Sequence, residues 1–238
     1  MEAGCTRLLQ NVLLTMKVKA ELHCHSEYSR DCSVSLEAII DRCKEENIRV
    51  IALTDHDEIA GAERLKAIAP KWLHVIVGEE IATAQGDVIG LFLKERIAPR
   101  QGIKQTIHQI KEQGGVVLLP HPFDRIRREA VGEVTASRIV RDIDFLEIFN
   151  SRCVFGGDNA RATIFAAESN LPVFVGSDAH TLPEYGRATN LIEEFSGTKE
   201  FVVNLKNATF VTRKSPLRVH LTTKFVKIKK KRTKKHAR

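Results

Sequence analysis

Nowhere in the 238 residues does an apolar run reach the roughly 18 needed to cross a bilayer, so no membrane span is expected. Aromatic residues make up only 6% of the chain, and they form no arginine-and-aromatic stripe of the kind that stacks single-stranded bases. The five cysteines (Cys5, Cys24, Cys32, Cys43, Cys153) contain no CxxC pair, and their odd number argues against a disulfide framework. Reduced thiols and a cytoplasmic location are the expectation. There is no GxSxG elbow and no cysteine-nucleophile context, which argues against covalent acyl chemistry. The glycine pairs, Gly156-Gly157 among them, fit no phosphate-loop spacing, and no repeat of fixed period is present.

Acidic residues are missing from one place in particular. The last fifteen residues, KFVKIKKKRTKKHAR, hold nine of the 37 Lys and Arg and no acid, leaving 28 basic against 30 acidic residues elsewhere. The overall charge of +7 therefore belongs to a tail on a slightly acidic body. Runs of like charge usually stay disordered and solvated, and they often attach to polyanions. Two readings stay open for residues 224–238: a solubilising tail, or a contact for nucleic acid. At the other end, residues 1–16 read as an extension with a short apolar patch but no basic start or clear cleavage site. The expected organisation is an extension over 1–16, one barrel domain over 17–215 and a basic tail over 216–238.

Between these ends, strand-like runs alternate with helical patterns. Strands are expected at Val18–Cys24, Ile48–Leu53, Leu73–Val77, Val88–Leu93, Val116–Leu119, Phe145–Phe149 and Val173–Val175. Leu36, Ile39, Ile40 and Cys43 carry helical spacing behind a Ser35 cap, and Ile103, Ile107 and Ile110 do so before Gly114-Gly115. Asp158 is placed to cap a helix running through Ala166 and ending near Asn170. This alternation predicts an α/β fold of parallel βα units, as a barrel or a doubly wound sheet.

The residues just beyond each strand carry the chemistry. His23 and His25 end the first, Thr54-Asp55-His56-Asp57 comes after the second, and Gly78-Glu79-Glu80 after the third. Later strands lead into Pro120-His121-Pro122, Glu147 through Asn150, and Gly176-Ser177-Asp178-Ala179-His180. Five of the nine histidines thus lie just beyond strand C-termini, which share one face in a parallel βα architecture. An HxH pair alone proves little; five imidazoles and several carboxylates converging on one face predict a metal cluster. Such a donor set suits Zn²⁺, Mn²⁺ or Fe²⁺ better than Ca²⁺. Adjacent metals sharing a carboxylate lower the pKa of a bound water towards about 7 and supply hydroxide for attack on phosphorus.

The motifs LHCHSEYSRD, LTDHDEIAG, VGEEI, LLPHPFD, LEIFNSR and VGSDAH, in that order over about residues 17–212, resemble those of the PHP (polymerase and histidinol phosphatase) family. The resemblance implies a distorted seven-stranded (β/α) barrel of TIM-like type that binds two or three divalent ions. It implies His23, His25, Glu80 and Asp178 as ligands of one metal, Glu80 bridging to a second held with His121, and Asp31, His56 and His180 for a further one. His23, His25, Glu80, Asp178 and His180 are then the catalytic set. Where some members place His or Cys, this chain has Asn150, a candidate metal or substrate contact. The chain also lacks the long insertion that some nucleotide phosphatases of the family carry between the GEE and LPHP motifs.

Arg125, Arg127, Arg128 and Arg187 are candidate phosphate contacts, with a solvated basic loop as the competing reading. Asp55 or Asp57 is placed either to orient a ligand imidazole or to cap the helix beginning near Ile59. Strand parity lets only one of Glu79 and Glu80 face inward, and turns Cys24 away from the histidines. The expected activity is metal-dependent hydrolysis of a small phosphorylated metabolite or nucleotide by metal-bound hydroxide. The alternatives are a nuclease or RNA-processing phosphoesterase using the tail, and a non-catalytic nucleic-acid-associated scaffold.

Overall fold

The computed structural model describes residues 17–236. The expected extension over 1–16 lies outside them. Nine strands run β1 (Val18–Glu21), β2 (Ile48–Leu53), β3 (His74–Thr83), β4 (Gly86–Leu91), β5 (Val116–Leu119), β6 (Phe145–Asn150), β7 (Val173–Gly176), β8 (Ala188–Ile192) and β9 (Thr209–Thr212). Among the described residues seven α-helices accompany them: α1 (Leu36–Glu45), α2 (Ala60–Ile68), α3 (Ile103–Glu112), α4 (Gly132–Ile139), α5 (Gly156–Glu168), α6 (Thr198–Lys206) and α7 (Arg218–His236).

The local signals explain most of these. Ser35 accepts the Ala38 N–H and starts α1, which buries Leu36, Ile39 and Cys43 on one stripe. α3 buries Ile103, Ile107 and Ile110 and stops where Gly114 takes φ +75°. A Cβ on Gly115 would lie 2.8 Å from Leu91 O, so both glycines are needed there. Asp158 falls inside the first turn of α5 and does not cap it. Its carboxylate instead receives Arg125 N–H and Nε–H at 3.2 and 2.8 Å.

The sheet order is β7-β6-β5-β4-β3-β2-β1-β8-β9, so the expected seven strands are present and two more extend the sheet beyond β1. β8 (ATNLI) and β9 (TFVT) escape a hydrophobicity reading because polar residues interrupt one and the other is short and half exposed. The sheet is also mixed. β4 folds back on β3 and pairs antiparallel with both β3 and β5, while β1–β2, β2–β3, β5–β6 and β6–β7 are parallel. Ile76, Ile89, Leu118, Phe145 and Phe174 form one apolar cluster inside the curved sheet, against which Phe201 and Leu205 of α6 pack. A second layer, including Ile39, Cys43, Ile51, Leu65 and Ile107, lies between strands and helices, and Cys24 belongs to it as strand parity requires.

Side chains close the barrel between β7 and β8. Asn190 is fully buried; its Oδ1 accepts Val175 N–H at 3.1 Å, and its Nδ2 donates to the carbonyls of Val175 at 2.9 Å and Ala20 at 3.3 Å. Glu21 accepts from Ser177 N–H and Oγ–H and from Gly186 N–H. Past the strand ends the closure becomes a ladder: Asp178 N–H donates to His23 O at 2.7 Å and His25 N–H to Ala179 O at 2.9 Å. β1 itself ends at Glu21, earlier than expected, because its later residues pair with this segment.

The basic tail is ordered where a solvated coil was expected. Residues 218–236 form α7, whose Val219 is buried and whose first turn holds no acid. No helix among the described residues is long and apolar enough to cross a membrane.

Asn190→Ala would strand three buried backbone groups on two elements. We expect it to lower unfolding stability by about 3 kcal/mol, measured by urea titration, with the opening between β7 and β8 as the cause. A loss under about 1 kcal/mol would mean that the ladder beyond the strands closes the barrel unaided.

Candidate metal centre

The C-terminal ends of the strands deliver the donors. The segment after β1 brings His23, His25 and Asp31, the β2 end His56, β3 Glu80, the β5 end His121, and the β7 end Asp178 and His180. Two of these residues hold left-handed backbone, His121 at φ 27° and Asp178 at φ 52°. Such conformations persist where the surroundings over-determine them, and they gather at functional sites.

Four donor atoms face one another. His25 Nε2 lies 3.2 Å from Glu80 Oε2 and 3.4 Å from Asp178 Oδ1, and His23 Nε2 lies 3.5 and 3.7 Å from the same oxygens. All four atoms are buried without a hydrogen-bond partner. Ligands at ~2.1 Å around a tetrahedral ion are about 3.4 Å apart, so the edges fit a cation of zinc or manganese size. Buried polar atoms are normally paired, and four orphans in one spot fit a cation that takes their lone pairs.

A second donor group adjoins the first. His56 Nδ1 approaches Glu80 Oε2 at 3.2 Å, His56 Nε2 lies 3.6 Å from Asp31 Oδ2, and His180 Nε2 lies 3.4 Å from Asp31 Oδ1. On the other side, His121 Nε2 meets Glu80 Oε1 at 2.9 Å. Glu80 thus stands between four of these histidines, His23, His25, His56 and His121, in the bridging place that the family resemblance implies. Asp87 of β4 joins His56 and Glu80 in a further possible donor group that the sequence did not signal.

Charge in the cluster is strongly biased. Burial opposes ionisation of Asp31 and Asp178, yet His56 and His180 beside the first, and Arg127 and His23 beside the second, hold both carboxyls far below their usual range. Burial also works against a charged His25, but Asp178 and Glu80 outweigh it and lift its pKa to about 9. His180 goes the other way, down to about 3, through burial and the charges of His25 and Arg152. Burial and the carboxylates of Glu80 and Glu129 push Asp87 upward.

Outer partners fix the imidazoles. Glu147 Oε1 receives His23 Nδ1–H at 2.9 Å, which turns Nε2 towards the cluster; its Oε2 accepts His121 N–H at 2.6 Å. Room for Glu147 depends on Gly176, where a Cβ would sit 2.1 Å from Oε1. Asp55 accepts from Ser26 N–H and Oγ–H, both at 2.6 Å, and from Ser29 Oγ–H at 2.8 Å. Ser29 Oγ lies 3.2 Å from His25 Nδ1 and accepts His56 N–H at 2.9 Å, so Asp55 orients His25 through a serine. Asp57 does not cap α2; it accepts Ala82 N–H at 2.8 Å, and Glu58 covers the N–H groups of Ile59 and Ala60.

The remaining candidates separate clearly. Asn150 faces the cluster with its nitrogen, donating to Glu147 Oε2 at 3.0 Å and Asp178 Oδ2 at 3.2 Å, while its Oδ1 accepts Arg152 N–H at 2.9 Å. Two carboxylates demand the NH₂ group there, and the oxygen is engaged by Arg152 N–H, so Asn150 turns its donor side to the cluster. Arg127 pairs with Asp178 and lies 3.4 Å from Asp124, inside the site. Arg125 is held on Asp158 and over the Phe155 ring, Arg128 is exposed, and Arg187 donates to the carbonyls of Pro183 and Lys214. None of these three lines the cavity. Glu79 is buried against Ile97 N–H, and Cys32 Sγ donates to the carbonyls of His25 and His180.

A cavity of about 290 Å³ opens on Asp31, His56 and His180 and is also lined by Arg30, Arg127 and Arg152. Glu147 lies within β6 and inside the LEIFNSR motif, so its sequence position was a usable signal. Arg30 and Arg152 fall within the motifs LHCHSEYSRD and LEIFNSR, which the sequence reading used only for their other residues.

The fold and donor set define a barrel built around His/carboxylate clusters suited to divalent cations. Residues 21–126 match the PHP domain and residues 156–210 the PHP-associated region. The chain belongs to the PHP family. An uncharacterized protein of Methanocaldococcus jannaschii is 34% identical over 175 residues, covering 72% of this chain and 69% of its own length. A 5′-3′ exoribonuclease of Haemophilus influenzae is 29% identical over 139 residues, which cover 53% of this chain and 50% of that one. A Bacteroides vulgatus two-domain protein containing a predicted PHP-like metal-dependent phosphoesterase superposes with a TM-score of 0.68 at 17% identity, over 83% of this chain and 65% of that one. PsfC of Pseudomonas syringae gives 0.66 at 13% identity, over 90% and 98%. These two likenesses show the fold.

Glu147→Gln keeps the shape but removes the charge behind His23. We expect its affinity for Mn²⁺ or Zn²⁺, measured by competition with a chelator, to fall about 10- to 100-fold. An unchanged affinity would mean that packing alone orients His23.

Proposed function

We propose that this chain is a divalent-metal-dependent phosphoesterase acting on small phosphorylated molecules. The observation that carries the reading is the set of four buried, unpartnered donor atoms on His23, His25, Glu80 and Asp178, beside a second donor group, Asp31, His56 and His180, that lines a cavity with arginines in its wall. His23, His25, Asp31, His56, Glu80, His121, Asp178 and His180 would hold two or three ions, with Mn²⁺, Zn²⁺ and Fe²⁺ as the fitting choices. Bound there, such ions supply an activated water and neutralise phosphoryl oxygens.

The chain's own residues do the rest. Glu147 and Ser29 orient the imidazoles. Arg127, steered by Asp124, offers guanidinium donors to a phosphoryl oxygen, and Arg30 and Arg152 add positive charge to the wall. A cavity of about 290 Å³ is at the small end for ligand sites and favours a small ester. The cysteines other than Cys5, all free and buried, suit the reducing cytoplasm.

A second reading, a nuclease, is favoured by the basic helix at the cavity mouth and by the name of the Haemophilus relative. A scaffold without chemistry would have no need of four dry, unpaired donors.

The test is phosphate release in Mn²⁺, Zn²⁺ or Fe²⁺ from mononucleotides, sugar phosphates, histidinol phosphate and 5′-phosphorylated oligonucleotides. We expect release from a small ester, reduced by about two orders of magnitude or more in His23→Ala and abolished by chelation. Shortened oligonucleotides without release from any small ester would favour the nuclease. Release that survives both His23→Ala and chelation would sink both readings.

A further inference from the structure

One wall of the cavity comes from outside the barrel. Facing Asp31, His56 and His180, the space is lined by His220, Lys224 and Lys227 of α7. The helix is anchored: Arg152 donates to Thr223 Oγ1 at 2.7 Å, and Lys230 Nζ donates to the carbonyls of Glu27 at 2.5 Å and Ser29 at 2.8 Å. Those carbonyls belong to the segment that carries Asp31, and Ser29 also contacts His25 and His56. The position of α7 is therefore set by the same loop that sets the metal donors.

Helical spacing then fixes which groups reach the cavity. The less exposed positions Val219, Thr223, Val226 and Lys230 recur at i, i+4, i+7 and i+11 and face the barrel, which leaves Lys224 and Lys227 on the flank at the cavity rim. Neither lysine makes a hydrogen bond or ion pair among the described residues, although carboxylates share the cavity with them. Burial and the charge of Arg152 hold His220 below its ordinary pKa, so it adds a neutral polar group rather than a third charge. Two unpaired ammonium groups, held over a site read as taking a phosphate, form an anion-binding surface a short distance from the reacting centre.

We propose that Lys224 and Lys227 form a second anion subsite, which takes a phosphoryl group of the substrate other than the one bound at the His/carboxylate cluster. The inference rests on the phosphoesterase reading. It narrows the substrate class to small esters carrying two phosphoryl groups on one compact skeleton. Ammonium groups on flexible stems act as point charges, suited to a terminal phosphate approached from several directions.

The probes are fructose 6-phosphate and fructose 1,6-bisphosphate with the manganese-loaded full chain, and a 5′-phosphorylated trinucleotide as a third arm. The variants are Lys224→Gln, Lys227→Gln, their combination, and Lys227→Arg. We expect the ratio of kcat/KM for the bisphosphate over the monophosphate to fall about tenfold or more in the combined variant, mainly through KM. Lys227→Arg should keep most of that ratio. An equal loss on both esters, or a loss on the trinucleotide alone, would overturn the subsite.

Calorimetric binding of the same two sugar phosphates to His23→Ala, with and without the two lysine changes, separates the subsite from the chemistry. A bisphosphate advantage that disappears with the lysines supports the subsite even if no ester is hydrolysed, in which case only the phosphoesterase reading falls. A bisphosphate that binds no tighter than the monophosphate overturns the subsite whatever is hydrolysed.

Discussion

Three imidazole nitrogens stand within 3.5 Å of Glu80 Oε2, and that oxygen has no hydrogen-bond partner. Leaving a buried carboxylate oxygen unpaired is costly, and the cost is repeated at Asp178 Oδ1 and Asp31 Oδ1. A protein selected for stability alone would fill such a space with apolar side chains. The rest of the barrel can be understood as the scaffold that keeps these atoms dry, close and unsatisfied. β3 runs on to Thr83 and β4 folds back beside it, which embeds Glu80 in a sheet paired on both sides and removes its freedom to turn away.

The same constraint explains the barrel's seam. β7, one edge of the sheet, comes up against β8 and β1, yet backbone pairing there gives way to side chains. Asn190 and Glu21 span the gap, and the true ladder begins only at His23, where it joins His23 to Asp178 and His25 to Ala179. The closing hydrogen bonds and the candidate metal donors therefore belong to the same few residues. A shift of one residue in that ladder would turn His23, His25 and Asp178 away from one another. The geometry of the donor cluster and the closure of the barrel are one property of this sequence.

This coupling shows which parts of the structure were legible in the sequence and which were not. His23, His25, His56, Glu80, His121, Asp178 and His180 could be read because each comes after an apolar run, and apolar runs are what burial writes into a chain. β8 could not, because Asn190 faces the interior as a hydrogen-bonding seam and breaks the apolar pattern. The reversed direction of β4 was hidden for another reason: periodicity locates a strand but does not give its polarity in the sheet. Asp158 and Asp57 were misplaced as helix caps because carboxylates beside a helix start have competing uses, and tertiary donors won in both cases. The helicity of the tail was masked by its charge, since what steadies α7 is its contact with the loop bearing Asp31.

Charge then ties the tail to the site. The body of the chain is slightly acidic, and the cluster gathers carboxylates held ionised by their neighbours. Without compensation such a surface would repel a phosphate ester from a distance. Arg30, Arg127 and Arg152 set positive charge into the wall, and Lys224 and Lys227 add it at the rim, which on the phosphoesterase reading offsets that repulsion as an ester approaches. The two sets differ in how they resist salt. Arg152 is buried and keeps its influence, whereas the exposed lysines act through solvent with a range of about 8 Å at physiological ionic strength. On that reading, capture at the rim is the salt-sensitive part of the site, and neutralisation at the floor is the insensitive part. That division arises from building the floor within the barrel and the rim on a helix laid across its mouth.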